Sequence, residues 1–253
     1  MIALIGNLSR DHLPGKPPRV GGGSYHGARA LAGIRVPARI FARCAAVDRD
    51  ALMPPVIHLG TPVRYVPGVA TATFSFSYDG DVRTMTVEAL GDAWAPDDVP
   101  DLPSGRWVHI APLSRHEFPL ETIAALAKRR RVSLDGQGLV RVPEIGPLRL
   151  DDDFDRDVLR HVWVLKLADE EAEVLGDPAA LGVREVVVTH GSRGSTVYFG
   201  GQVEHVPARA FPGDPTGAGD AFATAYVVAR NAGFAPTGAA RRATAVVASL
   251  IAP

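Results

Sequence analysis

Cysteine is all but missing from this chain of 253 residues: Cys44 stands alone. That excludes a disulfide framework and a cysteine-based metal site. Lysine is nearly as scarce, since Lys16, Lys128 and Lys166 are the only lysines among 27 basic residues. Neither sign of charge is in excess. The net charge of -1 argues against a partner that is a large polyanion such as nucleic acid. No uninterrupted apolar run approaches the ~18 residues of a membrane helix. The opening MIALIGNLSRD lacks a basic leader followed by a long apolar stretch, so the expectation is a cytoplasmic chain without a signal peptide. The eight histidines are dispersed without metal-ligand spacing. There is no Gly-x-x-x-x-Gly-Lys-Ser/Thr string. Gly22-Gly23-Ser24-Tyr25-His26 fails the Gly-x-Ser-x-Gly nucleophile elbow at its last position, which removes support for a serine hydrolase.

What is present is ordinary in bulk and informative in order. Hydrophobic residues make up 46% and charged residues 22%, as in a typical globule. The length suits one large α/β domain or a core with a small attachment. Ile2–Ile5 is an apolar run that predicts a buried first strand. Gly21-Gly22-Gly23 breaks the chain before a helix over Tyr25–Ile34. Ile40–Val47 reads as a second strand, and Leu52–Leu59, with Pro54-Pro55 inside it, stays open. Residues 61–90 differ: Arg64–Val66, Thr71–Tyr78 and Val82–Val87 are rich in Thr, Val, Phe and Tyr. Phe74, Phe76 and Tyr78 alternate with Ser75 and Ser77, and Asp79-Gly80 marks a hairpin turn. This predicts an antiparallel sheet inserted into something else.

From Arg106 onward strands and helices alternate. The strands fall at Trp107–Ile110, Val132–Leu134, Val162–Leu165, Val186–Thr189 and Ser195–Phe199. The helices fall at Leu120–Arg130, from Glu170, and at Ala218–Asn231 and Pro236–Ile251. Such alternation implies a mostly parallel, doubly wound α/β sheet with helices on both faces.

The segment Gly213-Asp214-Pro215-Thr216-Gly217-Ala218-Gly219-Asp220 runs straight into the helix Ala221–Arg230. Three small residues at a helix start leave backbone N–H groups without intrahelical partners, at the positive end of the helix dipole. Such a terminus holds an anion, phosphate above all. A carboxylate at Asp220 would sit beside that anion, where it can take a proton from an attacking hydroxyl. Phosphoryl transfer needs mainly positioning and charge neutralisation, so one base and an anion cradle form a sufficient core. The bland reading of the same residues is a capped helix whose Asp220 only complements the dipole.

The longer string resembles the C-terminal signature of the ribokinase-like, PfkB-type carbohydrate kinase family, and the resemblance extends along nearly the whole chain. Gly6-Asn7-Leu8-Ser9-Arg10-Asp11 is similar to the family's opening strand and substrate-binding aspartate. Gly21–Ala30 is similar to its Gly-Gly signature, with His26 where the family usually carries Asn. Leu165–Glu173 resembles the segment holding an Asn-x-x-Glu, with Ala168 at the Asn position and Glu171 at the Glu position. Thr189-His190-Gly191 resembles a nucleotide-binding Thr-x-Gly turn, and Ser133–Arg141 resembles a stretch of inositol kinase-like members.

The resemblance implies a ribokinase-like fold. Residues 1–11, 21–60 and 91–253 would form the nucleotide- and substrate-binding core, and 12–20 and 61–90 a β lid. It implies a phosphotransferase that moves the γ-phosphate of ATP, with Mg²⁺, to a hydroxyl of a sugar or polyol, a cyclitol such as myo-inositol being favoured. Nucleoside kinases of the same family, and a non-catalytic ligand-binding relative, are the alternatives. Asp220 would be the base, and the N–H groups of Gly217, Ala218 and Gly219 would stabilise the transferred group. Asp11, Gly22 and His26 would face the acceptor. Lys166, Thr189 and Gly191 would lie at the nucleotide, and Glu171 would reach Mg²⁺ through water. Asp214 and Thr216 match positions that hold a monovalent cation such as K⁺ in some members. The family often pairs through its lid, so a homodimer is the implied assembly.

Each residue also has a plain structural reading: a cap for Asp11, a turn for Thr189 and Gly191, a solvated helix face for Glu171, an Asx-turn for Asp214, helix-start packing for His26. The acidic run Asp151–Asp157 lacks the Gly and Glu that a calcium loop needs and reads as a solvated surface. Lys128–Arg131 complements a helix end. Phe74 and Phe76 read as sheet packing.

Overall fold

The computed structural model describes residues 1–79, 82–98, 102, 105–209 and 216–251. The chain opens with β1 (Ile2–Asn7), β2 (Ser9–His12), β3 (Arg19–Gly21), α1 (Gly23–Gly33), β4 (Ala38–Ala45), α2 (Arg49–Ile57) and β5 (Val63–Gly68). It continues through β6 (Ala72–Asp79), β7 (Val82–Ala89), β8 (Trp107–Ile110), α3 (Leu120–Ala127), β9 (Arg131–Asp135), α4 (Gln137–Val140) and β10 (Gly146–Pro147). The remainder forms β11 (Val162–Ala168), α5 (Asp169–Leu175), β12 (Glu185–Thr189), β13 (Ser195–Phe199), β14 (Gln202–Val206), α6 (Ala218–Asn231) and α7 (Pro236–Ile251).

Among the described residues nine strands make the main sheet, in the order β14-β13-β12-β11-β9-β8-β1-β4-β5. Neighbours from β5 to β12 run parallel, and β13 and β14 close that side antiparallel. The apolar run that opens the chain is buried throughout because β1 is covered on both faces. Successive side chains point to opposite faces. Ile2 and Leu4 join the core shared with Leu31 of α1 and with Phe222 and Tyr226 of α6. Ala3 and Ile5 join the opposite core, with Ile123 of α3 and Leu175 of α5. Each fully buried Leu or Ile side chain contributes roughly 1.5–3 kcal/mol.

From β1 the chain moves outward through β4 to β5, then returns to β8 on the other side of β1. In open α/β sheets ligands bind outside the carboxyl ends of the strands at such a reversal. Here those ends are Asn7 and Ile110. The two segments are packed so closely that a Cβ on Gly6 would lie 2.5 Å from the carbonyl oxygen of Ala111.

A second sheet, in the order β10-β7-β6-β2-β3, stands over this point. Phe74, Phe76 and Val87 of its inner face pack with Leu113 from the loop after β8.

The composition of residues 61–90 predicts one antiparallel unit, but Val63–Gly68 pairs parallel with β4 and extends the main sheet. The reason is two-sided burial: Val66 enters one core, while Val63 and Tyr65 pack against the other. The hairpin turn expected at Asp79-Gly80 falls partly outside the described residues. The open stretch around Pro54-Pro55 is helical, and α2 buries Leu52, Met53 and Val56. The strand β14 and the short β10 carry no periodicity long enough to announce them. Among the described residues no helix is long and apolar enough to cross a membrane.

One buried polar cluster ties α6 to the sheet. Glu185 on β12 accepts hydrogen bonds from the Tyr226 hydroxyl (2.8 Å), from Arg230 Nε (2.8 Å) and Nη2 (2.6 Å), and from Trp163 Nε1 (3.1 Å). The cluster holds the C-terminal half of α6, and so fixes where its N-terminus falls. Removing the carboxylate strands the Arg230 guanidinium in a desolvated place. Glu185→Ala is expected to lose about 3 kcal/mol or more of stability, read from the midpoint of denaturant unfolding. A change below about 1 kcal/mol would mean that the cluster does not anchor the helix.

Candidate active site

Two helix N-termini meet above the β1–β8 reversal. The N-terminal flank of α6 is Gly217, at φ +78°, the left-handed region that favours glycine. A Cβ there would lie 2.4 Å from the His26 ring. The N-terminal flank of α1 is Gly22, at φ +96°, where a Cβ would lie 2.5 Å from the carbonyl oxygen of Asn7. Asp220, in the first turn of α6, reaches toward α1, so that a Cβ on Gly23 would stand 2.7 Å from its Oδ1. Glycine at these positions lets a carboxylate lie between two positive helix ends.

A cavity of about 580 Å³ opens at this junction. Asp220, Gly217, Gly219, Gly22, His26, Asp11, Thr216, Lys166 and Glu171 all line it, so the structure brings together most of the residues singled out in the sequence. Ala218 lies at the same helix start and lines the neighbouring groove, which His26, Thr216 and Gly217 share. Asp11 is 5% exposed and accepts a hydrogen bond from Ser9 Oγ at 2.7 Å. Asp214 lies outside the described residues.

Carboxylates outnumber cations in the cavity: Asp11, Asp135, Glu170, Glu171 and Asp220 face Lys166 and Arg141. Lys166, 6% exposed, holds Asp135 at 3.4 Å. Its Nζ would stand 3.1 Å from a Cβ on Gly219, so a side chain there would crowd the ammonium. Burial by itself would lower the Lys166 ammonium, but the carboxylates of Asp135, Glu171 and Asp220 outweigh it and hold the group above its ordinary range. Burial raises Asp220 from the usual carboxylate range to about 7; Asp135 adds to the rise and Lys166 opposes it. Burial likewise raises Glu171. The Glu171 carboxylate accepts the Ala168 N–H at 2.8 Å, which caps α5.

Thr189 and Gly191 are not among the residues lining this cavity. Thr189 Oγ1 donates to the Leu167 carbonyl at 3.1 Å, and Gly191 stands in a turn at φ +57°. Beside them His190 and Arg193 bind the Asp169 carboxylate. Conversely, Asp135, Gln137 and Arg141 line the cavity. The sequence marked their stretch only through a resemblance, although an aspartate ending a buried strand just before Gly-x-Gly is itself a signal. Phe74 and Phe76 both pack in the second sheet and line the cavity. The acidic run is a surface of arginine pairs, such as Arg156–Asp152 and Arg160–Asp157.

Among the described residues no three His, Cys, Asp or Glu side chains converge to hold a metal ion. Mg²⁺ keeps most of its waters and takes one or two carboxylates together with substrate phosphates. Glu171, and Asp135 beside it, supply hard oxygen donors of that kind.

A family model described as pfkB family carbohydrate kinase matches residues 71–252. An inositol 3-kinase of Zea mays is 32% identical over 209 residues, which is 79% of this chain and 53% of that protein. A fructokinase of Klebsiella pneumoniae is 32% identical over 151 residues, 50% of this chain and 47% of that protein. The chain thus spans about half the length of the curated relatives it matches. A solved structure described as a pyrophosphate-dependent kinase in the ribokinase family, complexed with a pyrophosphate analog and myo-inositol, superposes with a TM-score of 0.87. It is 25% identical, over 99% of this chain and 95% of that one.

The glycine requirement is directly testable. Gly217→Ala meets both the left-handed backbone and the His26 ring, whereas Gly191→Ala meets only the backbone, with nothing within 4 Å. Titration calorimetry with inorganic pyrophosphate is expected to give at least a tenfold weaker affinity for Gly217→Ala, about 1.4 kcal/mol, and near-normal affinity for Gly191→Ala. Equal affinities would contradict the anion cradle.

Proposed function

The chain belongs to the pfkB family of carbohydrate kinases, and on that premise we propose that it transfers a phosphoryl group to a hydroxyl of a sugar or sugar-like polyol, with Asp220 as the general base. The observation that carries the reading is the position of Asp220. Its carboxylate lies between two helix N-termini, beside the glycine cradle of α6, and burial raises it to about 7. A base with that pKa is ionised in a large share of molecules at neutral pH, about half, and is basic enough to accept a proton from a hydroxyl.

The acceptor lies between Asp11, which takes hydrogen bonds from its hydroxyls, and the apolar wall of Phe74, Phe76 and Leu113. The hydroxyl oxygen attacks phosphorus while its proton passes to Asp220. The N–H groups of Gly217, Ala218 and Gly219, at the positive end of α6, stabilise the charge on the transferred group. Mg²⁺, when bound, neutralises the donor phosphates, and Glu171 orients its waters. Approach of the second sheet excludes water from the reaction. The outer face of that sheet serves as the dimer surface in this reading.

A cyclitol such as myo-inositol is the favoured acceptor. One curated relative is an inositol 3-kinase, another a fructokinase, and a superposing structure is described in complex with myo-inositol.

The family implies ATP as donor. Inorganic pyrophosphate is a second reading, favoured by two observations: Thr189 and Gly191, the residues expected at a nucleotide, do not line the cavity, and the superposed kinase is pyrophosphate-dependent.

Mass detection of phosphorylated product over a panel of cyclitols, ribose, fructose and nucleosides, with Mg²⁺ and either ATP or pyrophosphate, tests acceptor and donor together. The expected result is one phosphorylated cyclitol. Asp220→Asn is expected to fold normally and to lose roughly 10²–10⁴ of kcat. Turnover near that of the unaltered chain would remove Asp220 from the role of base, and no product from any acceptor would favour a non-catalytic relative.

The pH profile follows from the same group. Protonation disables a base, so kcat/KM is expected to fall as pH drops through about 7 and to level off above it. A profile flat from pH 5 to 8 would contradict the assignment.

A further inference from the structure

Among the arginines that the fold partly buries, Arg43 holds Asp98, Arg115 holds Asp151 and Arg230 holds Glu185. Arg141 is half-buried too and lines the main cavity. Yet no side chain among the described residues forms a hydrogen bond or ion pair with its guanidinium. Only its backbone is engaged: the N–H bonds the Gln137 carbonyl at 3.1 Å, and the carbonyl accepts the Arg115 N–H at 3.2 Å. Lys166, the other cation of the cavity, is already committed to Asp135. A half-buried guanidinium that lines an open cavity, with no carboxylate of the described residues in contact with it, is poised for an anion that arrives from outside.

Its place in the sheet says which anion. Arg141 follows α4, on the loop at the carboxyl end of β9. In strand order β9 lies between β8, whose loop carries Leu113 of the acceptor wall, and β11, whose loop carries Ala168 and Glu171. The guanidinium is close enough to influence Glu117 after β8, Glu171 after β11, and Asp220 itself. Arg141 therefore stands between the acceptor side and the donor side of the cavity, where the phosphoryl group must pass.

Building on the kinase reading, we infer that Arg141 is a catalytic residue that binds the phosphoryl group in transit. In the step it serves, the bond from the acceptor oxygen to phosphorus forms and the bond from phosphorus to the leaving phosphate oxygen breaks. The electron pair of that broken bond leaves with the phosphate, and the hydroxyl proton goes to Asp220. In the loose, in-line transition state the charge of the transferred group is spread over its three equatorial oxygens, away from both the attacking and the leaving oxygen, so a guanidinium that meets those oxygens only in transit acts on kcat more than on donor affinity.

The test compares Arg141→Met and Arg141→Lys with the unaltered chain, using whichever donor and acceptor that chain turns over. Removal of one transition-state donor is expected to lower kcat roughly 10²–10³-fold, while the donor Kd, from calorimetry without acceptor, changes less than about threefold, within 1 kcal/mol. Arg141→Lys keeps the charge without the planar fork and is expected to fall between. Guanidinium ion added to Arg141→Met is expected to restore part of the rate. A normal kcat in Arg141→Met, or a weakened donor Kd with kcat intact, overturns the inference and leaves the kinase reading standing. Absence of turnover in the unaltered chain overturns both.

Discussion

The site depends on how closely two helix ends approach a single carboxylate. Asp220 lies where the positive ends of α1 and α6 converge, and that geometry depends on Gly22, Gly23 and Gly217 placing no side chain in the gap, with Gly219 leaving room for Lys166. A Cβ at any of them would meet backbone, the His26 ring, the Asp220 carboxylate or the Lys166 ammonium within about 3 Å. The closeness has an electrostatic consequence. Exclusion of water raises Asp220, Asp135 raises it further, and Lys166 restrains the rise. The balance leaves a base suited to neutral pH, beside N–H groups suited to an anion.

The fold delivers this arrangement by simple means. Burial of β1 on both faces fixes the centre of the sheet, and the reversal between β1 and β8 opens the crevice. Glu185 holds α6 far from the chemistry, through Tyr226 and Arg230. The helix start is thereby positioned by a clamp more than two turns down the helix. Lys166 offsets Asp135, and among the described residues no side chain pairs with Arg141, which lines the cavity.

Much of this was legible in the sequence, for identifiable reasons. The bounds of α6 and α7 follow from small residues and Pro at the helix starts and an Ala-rich apolar pattern, and the structure has the same bounds. The start of α6 and the place of Asp220 in its first turn were readable because consecutive residues form them. What depends on tertiary placement was not readable. Val63–Gly68 has the composition of a strand but nothing that says which sheet it joins. Thr189 and Gly191 match a nucleotide turn, but only the fold shows that Thr189 pairs with Ala168 of the cavity wall without lining the cavity itself. Asp135 and Arg141 are separated by α4, and only folding shows that both face Lys166 and Asp220. Ala168 illustrates the opposite case. The family's side chain is absent, but the backbone N–H at that position still holds Glu171 in place.

The central claim is that Asp220 is a carboxyl held near neutrality by its surroundings. Difference infrared spectroscopy of the carboxyl band, recorded over a pH titration of the unaltered chain and of Asp220→Asn, measures this directly. The account predicts a carboxyl that titrates near 7 and disappears in Asp220→Asn. If the band lost in Asp220→Asn instead titrates at the ordinary value for an aspartate, about 4, the site does not tune its base and the account fails.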